Sequence, residues 1–282
     1  MTPALLFFLA AASPLEWKDV GDGRLALLDG GKQAFVYNYG PQLSNNAPED
    51  RRRCCYIYPV ATPAGVVPID DFPKDHYHHH GVFWGWPSVE AGGKNYDFWM
   101  YRAGAQQKFE KILGRGVSST EAWVKVQNGW HTPDRRILEE VVSIRAFPAK
   151  GNSREFEVEL TLTAQDQPVK LRGSQDRGKS YGGFSARYAP REGTLLRADS
   201  QPITKDEDLV VHKSAELEAS YAGKRSLLRI SVLSGQQHQW CLRNYGFVGA
   251  SFPGRFGDND GFTLEPGKPM TLKYMVTVSD LQ

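Results

Sequence analysis

A histidine-rich segment, DDFPKDHYHHHGVFWGW at residues 70–86, is the part of the chain most suited to chemistry. It contains four of the seven histidines in the sequence. Neutral imidazole is the best acid/base group near neutral pH, because its unperturbed pKa lies close to that value. We therefore predict that His76, His78 and His79, together with Asp75, are catalytic acid/base groups.

The same segment also suits a metal ion. In an extended strand His76, His78 and His80 share one face, because successive side chains alternate between the two faces. Alternate residues lie about 6.6 Å apart along a strand, so imidazoles at this spacing can converge on one cation. The second interpretation is therefore a divalent metal, zinc, iron or calcium, held by these three histidines. The third is a polar loop whose histidines bond to backbone carbonyls.

Tryptophans follow the histidines closely in the sequence. On a strand Trp84 and Trp86 face the same way with Gly85 between them, and Trp99 comes soon after. A flat ring with one open face beside polar groups suits the apolar face of a sugar ring. We predict that the three tryptophans bind substrate. The alternative is a packed aromatic core, since tryptophan is commonly mostly buried.

Two later segments carry hydrogen-bond donors among glycines, DRGKSYGGFSARYAP at 176–190 and WCLRNYGFVGASFPGRFGDND at 240–260. Such donors suit hydroxyl or carboxylate groups of a ligand. The sequence has no phosphate-binding glycine motif there and no nucleophile elbow. A glycine-rich hairpin with solvated charges is the alternative. The substrate-binding candidates are Lys179, Tyr181 and Arg187 in the first segment, and Arg243 and Tyr245 in the second.

The elements that must position these residues are strands. Apolar and polar residues alternate in REFEVELTLTA at 154–164 and MTLKYMVTVSD at 270–280, which is typical of strands with one buried face. Turn residues separate several shorter runs of this kind, and helical periodicity is weak even at its best, in 205–220. The chain is too long for one immunoglobulin-type sandwich of about 100 residues. We predict an all-β fold, a large two-sheet β-sandwich.

The N-terminus, MTPALLFFLAAASP, contains nine consecutive apolar residues, Ala4 to Ala12, followed by Ser13-Pro14. Nine residues cannot span a bilayer, which needs about 20, but small residues at Ala10 and Ala12 fit a signal-peptidase site. We therefore predict a signal peptide at 1–12, one β-sandwich domain at 13–282 and a periplasmic or secreted protein. No other stretch suggests an integral membrane segment.

Charge and cysteine content set further limits. The formal net charge of +2 provides no basic field for nucleic acid, so we exclude nucleic acid as a partner. The three cysteines, Cys54, Cys55 and Cys241, allow at most one ordinary disulfide, from Cys241 to either neighbour, and buried free thiols are equally compatible. The oligomeric state and the disulfide state stay open.

Several motifs occur together in one order: YPVATPAGVVPIDDFPKDHYHHHGVFWGW, YDFW, GKSYGGFSARY, RNYGFVGASFPG and LEPGKPMTLKYMVTVSD. From about residue 52 to the C-terminus they resemble the PmoA-like family of uncharacterised bacterial proteins. The family name comes from a methane oxygenase with integral membrane subunits, so it is a poor guide to the function of this chain.

The resemblance implies an exported β-sandwich protein related to the galactose-mutarotase-like supersandwich, from bacteria that degrade complex carbohydrate. It carries over Asp75, His76, His78 and His79 as motif positions. His80 stands where the family usually has arginine, and Tyr77 stands where proline is usual.

Three functions follow from these residues. The leading one is an exported carbohydrate-active enzyme of the epimerase, lyase or hydrolase kind that binds a small molecule or an oligosaccharide. The second is a metal-dependent hydrolase or oxygenase, and the third is a non-catalytic carbohydrate-binding protein. Two-carboxylate glycosidase chemistry would need a pair from Asp75, Asp97, Glu139 and Glu140 at about 5–10 Å.

Overall fold

The computed structural model describes residues 14–176, 178–255 and 261–282. The predicted signal peptide, residues 1–12, lies outside this part of the chain, and the division into a signal and one domain stays a prediction. Within the described ranges no helix is long and apolar enough to cross a membrane.

Strands make up nearly all of the regular structure, and a 3-10 helix at Glu49–Arg51 joins them. The first half of the chain forms β1 Leu15–Asp19, β2 Arg24–Asp29, β3 Lys32–Asn38, β4 Tyr56–Val60, β5 Val82–Gly85, β6 Ser88–Ala91, β7 Lys94–Tyr96, β8 Gln106–Val117, β9 Ala122–His131 and β10 Arg136–Ala146. The second half forms β11 Ser153–Ala164, β12 Val169–Arg172, β13 Gly183–Arg187, β14 Glu192–Ala198, β15 Gln201–Ile203, β16 Glu207–Val211, β17 Ser214–Tyr221, β18 Lys224–Val232, β19 Gln239–Arg243, β20 Phe247–Ser251, β21 Phe262–Leu264 and β22 Met270–Asp280.

These strands form two nine-stranded sheets and one four-stranded sheet. Sheet 1 has the order β1-β2-β3-β4-β5-β13-β20-β19-β16, and sheet 2 has the order β15-β14-β17-β18-β22-β11-β10-β9-β8. Sheet 3 has the order β21-β12-β6-β7. The large hydrophobic core contains residues from all three sheets. The prediction of a large all-β sandwich is confirmed.

The two alternating segments form β11 and β22, which pair antiparallel from Ser153 opposite Ser279 to Leu162 opposite Met270. Their apolar positions are buried, as the period of two predicts. The weak helical interpretation of 205–220 is wrong, because this stretch forms β16 and most of β17. Pairing with β19 and β18 satisfies its backbone groups in the sheet.

Four central strands of sheet 1, β5, β13, β20 and β19, are buried on both faces. Their core-facing residues include Trp84, Phe184 and Trp240, which belong to the large core. Their alternate residues include Phe83 and Phe247, which belong to a second, smaller cluster. This second cluster lies on the outer face of sheet 1, so the connecting segments must cover that face.

Glu140 on β10 is fully buried and accepts hydrogen bonds from both large sheets. Trp84, in sheet 1, donates from Nε1 to Glu140 Oε1 at 2.7 Å. Trp130, in sheet 2, donates from Nε1 to the same oxygen at 3.2 Å. Asn128 Nδ2 donates to Oε2 at 2.8 Å. Burial raises the pKa of the Glu140 carboxyl, although these donors oppose the rise. Because Glu140 lies within the core, it has no access to a ligand in solution.

Replacing Glu140 tests this connection between the sheets. Glu140→Leu leaves two indole N–H groups buried without an acceptor and removes one of the two acceptors of the Asn128 amide, so we expect a loss of about 3 kcal/mol or more in the free energy of unfolding. Glu140→Gln retains one oxygen acceptor and should lose less. Glu139→Gln, on the partly exposed neighbour, is the control and should change the free energy by about 0.5 kcal/mol or less. Urea-induced unfolding measures all three, and equal losses at both positions would contradict the role of Glu140.

Candidate functional site

The histidine segment consists of turns and not of a strand. The His76 N–H donates to the Pro73 carbonyl at 2.9 Å, and the His79 N–H donates to the His76 carbonyl at 2.8 Å. The predicted alternation is therefore wrong, and His76, His78 and His80 do not share a face. The turns instead bring His76, His78 and His79 together and direct His80 elsewhere.

The rings of His76, His78 and His79 contact one another. The ring centroids are 4.7 Å apart for His76 and His79, 5.6 Å for His76 and His78, and 4.5 Å for His78 and His79. Tyr245 stacks on the other side of His76 at 5.3 Å, and Phe247 stacks on His79 at 5.0 Å. Four rings thus form a continuous stack, Tyr245–His76–His79–Phe247, which runs from the surface into the second hydrophobic cluster.

A pocket of about 360 Å³ lies beside this stack. Its volume falls in the range that holds small-molecule ligands, about 300–1,000 Å³. Residues from four parts of the sequence form its walls: His76, His78, His79, Trp99, Met100, Asp176, Lys179, Tyr181, Cys241, Arg243, Tyr245 and Phe247. The three segments that the sequence analysis treated separately therefore meet at one place, and we refer to this pocket as the candidate site.

Strand pairing explains why the later segments meet the histidines. Arg187 on β13 lies opposite Phe247 on β20, and Phe247 lies opposite Arg243 on β19. These three residues form a row across neighbouring strands, on the outer face of sheet 1. The histidine turns precede β5, which pairs with β13. The order of strands, rather than closeness in sequence, therefore assembles the candidate site.

Arg187 holds Asp75, and Asp75 lies next to His76. Arg187 Nη2 donates to Asp75 Oδ1 at 2.9 Å and to Oδ2 at 2.7 Å, and His76 Nδ1 lies 2.9 Å from Oδ2. Although burial opposes the shift, His76 and Arg187 together lower the pKa of the Asp75 carboxyl. Asp75 is therefore an anion at neutral pH that faces one nitrogen of His76 and leaves the other nitrogen for a ligand.

Burial determines the charge of the two deeper histidines. It lowers the pKa of His78 to about 3, with a smaller contribution from neighbouring histidines and arginines. It lowers the pKa of His79 well below the usual range, again with help from neighbouring histidines and Arg187. Both imidazoles are neutral at physiological pH. His76 is more open, with a side chain 35% exposed.

His80 belongs to a separate buried network below the candidate site. His80 Nδ1 and Asp71 Oδ1 lie 2.8 Å apart, and the Tyr56 hydroxyl donates to Asp71 Oδ2 at 2.8 Å. A small cavity of about 10 Å³, roughly the size of one water molecule, lies between His78 and His80. Sequence reasoning missed Asp71 and Tyr56, and the only signal for Asp71 was its place in the same segment.

Two of the three predicted tryptophans are not ligand platforms. Trp84 and Trp86 are 0% exposed, and both belong to the large core. Trp84 donates to Glu140 and Trp86 Nε1 donates to the Phe252 carbonyl, so both indole N–H groups are used inside the protein. The prediction that they bind substrate is wrong because both side chains point into the core. Trp99 is also buried, yet it lines the candidate site.

Tyr245 supplies the exposed ring instead, since it is 44% exposed beside the pocket. Lys179 and Tyr181 line the pocket as predicted residues, and Lys179 Nζ lies 3.6 Å from Asp176 Oδ2. Arg243 also lines it, but its guanidinium already donates to Asp208 and to the Glu207 carbonyl.

Arg187 does not line the pocket. Its guanidinium binds the Asp75 carboxylate and not a ligand. The predicted role of Arg187 in substrate binding is therefore replaced by a positioning role.

Some buried donors near the site lack partners among the described residues. These atoms are Nε and Nη1 of Arg187, Nδ1 of His79, and Nδ1 of His76, which lies 2.9 Å from Asp75 Oδ2 but not in hydrogen-bond geometry. An unpaired buried polar group costs about 1–3 kcal/mol. A ligand or an ordered water molecule that pairs with these atoms would recover part of this cost, as expected for a binding site.

The predicted metal ligands do not converge. His80 faces Asp71, while His76 and His78 face the pocket. In the part of the chain that the structure describes, no group of three or more histidine, cysteine, aspartate or glutamate side chains is placed to hold a metal ion. The trio of His76, His78 and His80 is therefore corrected, while the binding of a divalent metal stays a prediction.

A family described as "Family of unknown function (DUF6807)" matches residues 24–282. The chain belongs to this family. No curated protein matches this DUF6807 chain in sequence. The predicted resemblances to the PmoA-like family and to galactose-mutarotase-like proteins stay predictions.

Solved structures similar to this DUF6807 chain include two enzymes. A crystal structure of heparinase III matches with a TM-score of 0.42 and 10% identity, over 96% of this chain and 37% of that one. The heparan sulfate lyase HepC from Pedobacter heparinus matches with a TM-score of 0.40 and 10% identity, over 98% of this chain and 37% of that one. The chain thus spans 37% of the length of each.

The Asp71 network predicts a pH dependence of stability. Burial raises the pKa of the Asp71 carboxyl to about 7, although the Tyr56 hydroxyl opposes the rise. An unfolded aspartate has a pKa of about 3.9, so between about pH 4 and about pH 7 only the folded protein retains this proton. The contribution of Asp71 to stability is therefore complete below about pH 4 and is lost as the pH rises, by up to about 1.4 kcal/mol per pH unit.

Urea unfolding at several pH values measures this contribution as the difference between wild type and Asp71→Asn. The difference should become less favourable to the wild type as pH rises through the window. Asp134→Asn, at an exposed aspartate, is the matched control and should differ from wild type by a constant amount. A constant difference for Asp71→Asn as well would contradict the raised pKa.

Proposed function

We propose that this protein is an exported, carbohydrate-active enzyme that uses histidine acid/base chemistry on a sugar or a sugar derivative, of the epimerase, lyase or hydrolase kind. One observation supports this function best: His76, faced by the Asp75 carboxylate, lines a pocket of about 360 Å³ beside the exposed ring of Tyr245. The exported location belongs to the same proposal and is supported by the apolar N-terminal segment.

His76 is the residue best placed to act as the general base. A catalytic base needs contact with the ligand and a group that orients its ring. His76 lines the pocket, and the Asp75 carboxylate lies 2.9 Å from Nδ1. Arg187 fixes Asp75 through two hydrogen bonds, so the carboxylate has little freedom to turn away. Proton transfer at the other nitrogen, Nε2, would leave an imidazolium stabilised by Asp75.

Tyr245 is the residue best placed to act as the general acid. Burial and the neighbouring Cys241 raise the pKa of the Tyr245 hydroxyl to about 12, although nearby arginines oppose the rise. The hydroxyl therefore carries its proton at neutral pH. The ring stacks on His76 at 5.3 Å, so the acid and the base lie at one end of the same pocket. Epimerisation, elimination and hydrolysis all require such a pair of proton-transfer groups.

The other walls of the pocket suit a polyhydroxylated ligand. Lys179 and Tyr181 offer donors for hydroxyl or carboxylate oxygens, and the exposed part of Tyr245 offers an apolar ring face. Trp99 forms an apolar wall behind Tyr181, with ring centroids 5.2 Å apart. A mixture of apolar surface and a few convergent polar groups is typical of small-molecule sites.

His76→Gln tests the proposed chemistry on a panel of neutral and uronic-acid-containing oligosaccharides, with products followed by mass spectrometry. Removing the base should lower kcat by about 100-fold or more on the substrate that the wild type converts, with a smaller effect on KM. His131→Gln is the matched control, because His131 also lies near a carboxylate, that of Glu110, but is at the end of β9 and does not line the pocket. This variant should keep wild-type kcat.

Binding without any product from the wild type would contradict the proposal and would favour the non-catalytic carbohydrate-binding protein. Full activity of His76→Gln would contradict the role of His76 as the base.

Variants at Tyr245 separate the ring from the hydroxyl. Tyr245→Ala removes the exposed ring face and should weaken ligand binding by about fivefold, since an aromatic contact is worth about 1 kcal/mol. Tyr245→Phe retains the ring and should bind as the wild type does, but should lose turnover because it cannot donate a proton. Calorimetric titration and kcat measured on both variants give the two readouts. Equal turnover in Tyr245→Phe and wild type would contradict the role of the hydroxyl as the acid.

A further inference from the structure

A second pocket of about 420 Å³ lies away from the candidate site and shares none of its lining residues. Aromatic and apolar groups from Tyr39, Tyr101 and Phe109 form part of its walls, and Arg52 and Lys108 add cationic groups. Cys54 also lines this pocket. The proposed sugar chemistry uses none of these residues, so the pocket and its thiol need a separate explanation.

The thiols of Cys54 and Cys55 lie in contact. Their sulfur atoms are 3.2 Å apart, with Cys55 donating to Cys54, and Cys54 Sγ donates to the Gln107 carbonyl at 3.1 Å. Both thiols are free, as is Cys241. Neighbouring side chains normally diverge, but Cys55 has a φ of 64°, in the left-handed region. This unusual backbone conformation brings the two sulfur atoms together.

The two cysteines differ in environment. Cys55 is fully buried, and burial together with Cys54 raises its pKa well above the usual range. Cys54 faces the pocket, and the hydrogen bond from Cys55 lowers its pKa, with help from Arg53, although burial opposes the shift. Because the thiolate is the nucleophile, Cys54 is the thiol that a reagent in the pocket meets first and the one that reacts more readily.

We propose that Cys54 and Cys55 form a redox-active pair that a low-molecular-weight disulfide oxidises from the second pocket. The Cys54 thiolate attacks one sulfur of the small disulfide, forms a mixed disulfide and displaces the first thiolate. Cys55 then loses its proton and attacks Cys54 Sγ, which forms the Cys54–Cys55 bond and displaces the second thiolate. The pair loses two electrons and two protons, and the small disulfide is reduced to two thiols.

Chain geometry makes this disulfide reversible. Adjacent Cα atoms lie about 3.8 Å apart, whereas bridged cysteines usually have Cα atoms about 4.4–6.8 Å apart. A disulfide between neighbours is therefore strained, and strained disulfides are more easily reduced than structural ones. The pair suits a reaction that responds to the surrounding thiol–disulfide balance, and not a permanent crosslink.

The experiment uses the reduced, folded protein carrying Cys241→Ser, so that only the two neighbouring thiols remain. Dithiobis(nitrobenzoate), an aromatic small disulfide, is the probe, and released thionitrobenzoate is followed by absorbance. We expect two thionitrobenzoate anions per protein and a protein that has lost two hydrogen atoms by intact mass. A proteolytic fragment should contain the Cys54–Cys55 bond, and dithiothreitol should restore the original mass.

Serine variants assign the two roles. In Cys55→Ser the adduct should stay on Cys54, because no second thiol can displace it. In Cys54→Ser the reaction should be about tenfold slower or more, because the remaining thiol is fully buried. Thermal unfolding followed by circular dichroism tests whether each variant is folded. If a serine variant is unfolded, the intact mass and the Cys54–Cys55 fragment of the Cys241→Ser protein decide whether the pair forms a disulfide.

Three results would overturn the proposal. The first is a stable thionitrobenzoate adduct on the two-thiol protein, and the second is a lack of reaction until denaturant is added. The third is faster reaction at Cys55 than at Cys54.

Discussion

The centre of sheet 1 is buried on both faces, and this constraint governs the rest of the structure. In β5, β13, β20 and β19 a residue that points one way joins the large core, and its neighbour points to the outer face. Trp84 and Phe83 are neighbours in β5, yet they belong to different clusters. The face of the sheet to which a residue points therefore decides whether it stabilises the sandwich or helps to form the candidate site.

On each side of sheet 1, buried polar groups make specific hydrogen bonds to groups from other parts of the chain. On the core side, Glu140 accepts from indole groups of both large sheets, and so it fixes how the sheets are placed relative to each other. On the outer side, Arg187 emerges from β13 and holds Asp75 of the histidine turns. Because Nη2 of the Arg187 guanidinium donates to both oxygens of one carboxylate, this charge-assisted contact holds the turns on the sheet.

The histidines show how one sequence motif divides into different roles. His76 is partly open and faces an anion, whereas His78 and His79 are neutral because burial disfavours their charged forms. His80 follows His79 directly but pairs with Asp71 below the site. Four residues of one chemical type thus occupy distinct electrostatic environments within a short segment, and only one of them combines contact with the pocket and support from a carboxylate.

The sequence by itself determined the fold class and some of the residues that line the site. Period-two alternation in β11 and β22 required strands with one buried face, and the scarcity of helical periodicity required a fold built from sheets. Residue type alone selected His76, His79, Lys179, Tyr181 and Tyr245, since donors, imidazoles and aromatic rings are what a polar pocket needs. These signals are local, so they can be recognised without knowing where the chain goes.

Tertiary structure decided the roles of the residues. Alternation shows that Trp84 and Trp86 share a face, but only the packing of sheet 2 against sheet 1 makes that face the core. Arg187 is a suitable donor for a substrate oxygen until β13 places it against Asp75, and the histidines fit an extended metal-binding strand until the turns at Pro73 and His76 form. Each of these outcomes depends on contacts between distant segments, which a local pattern does not contain.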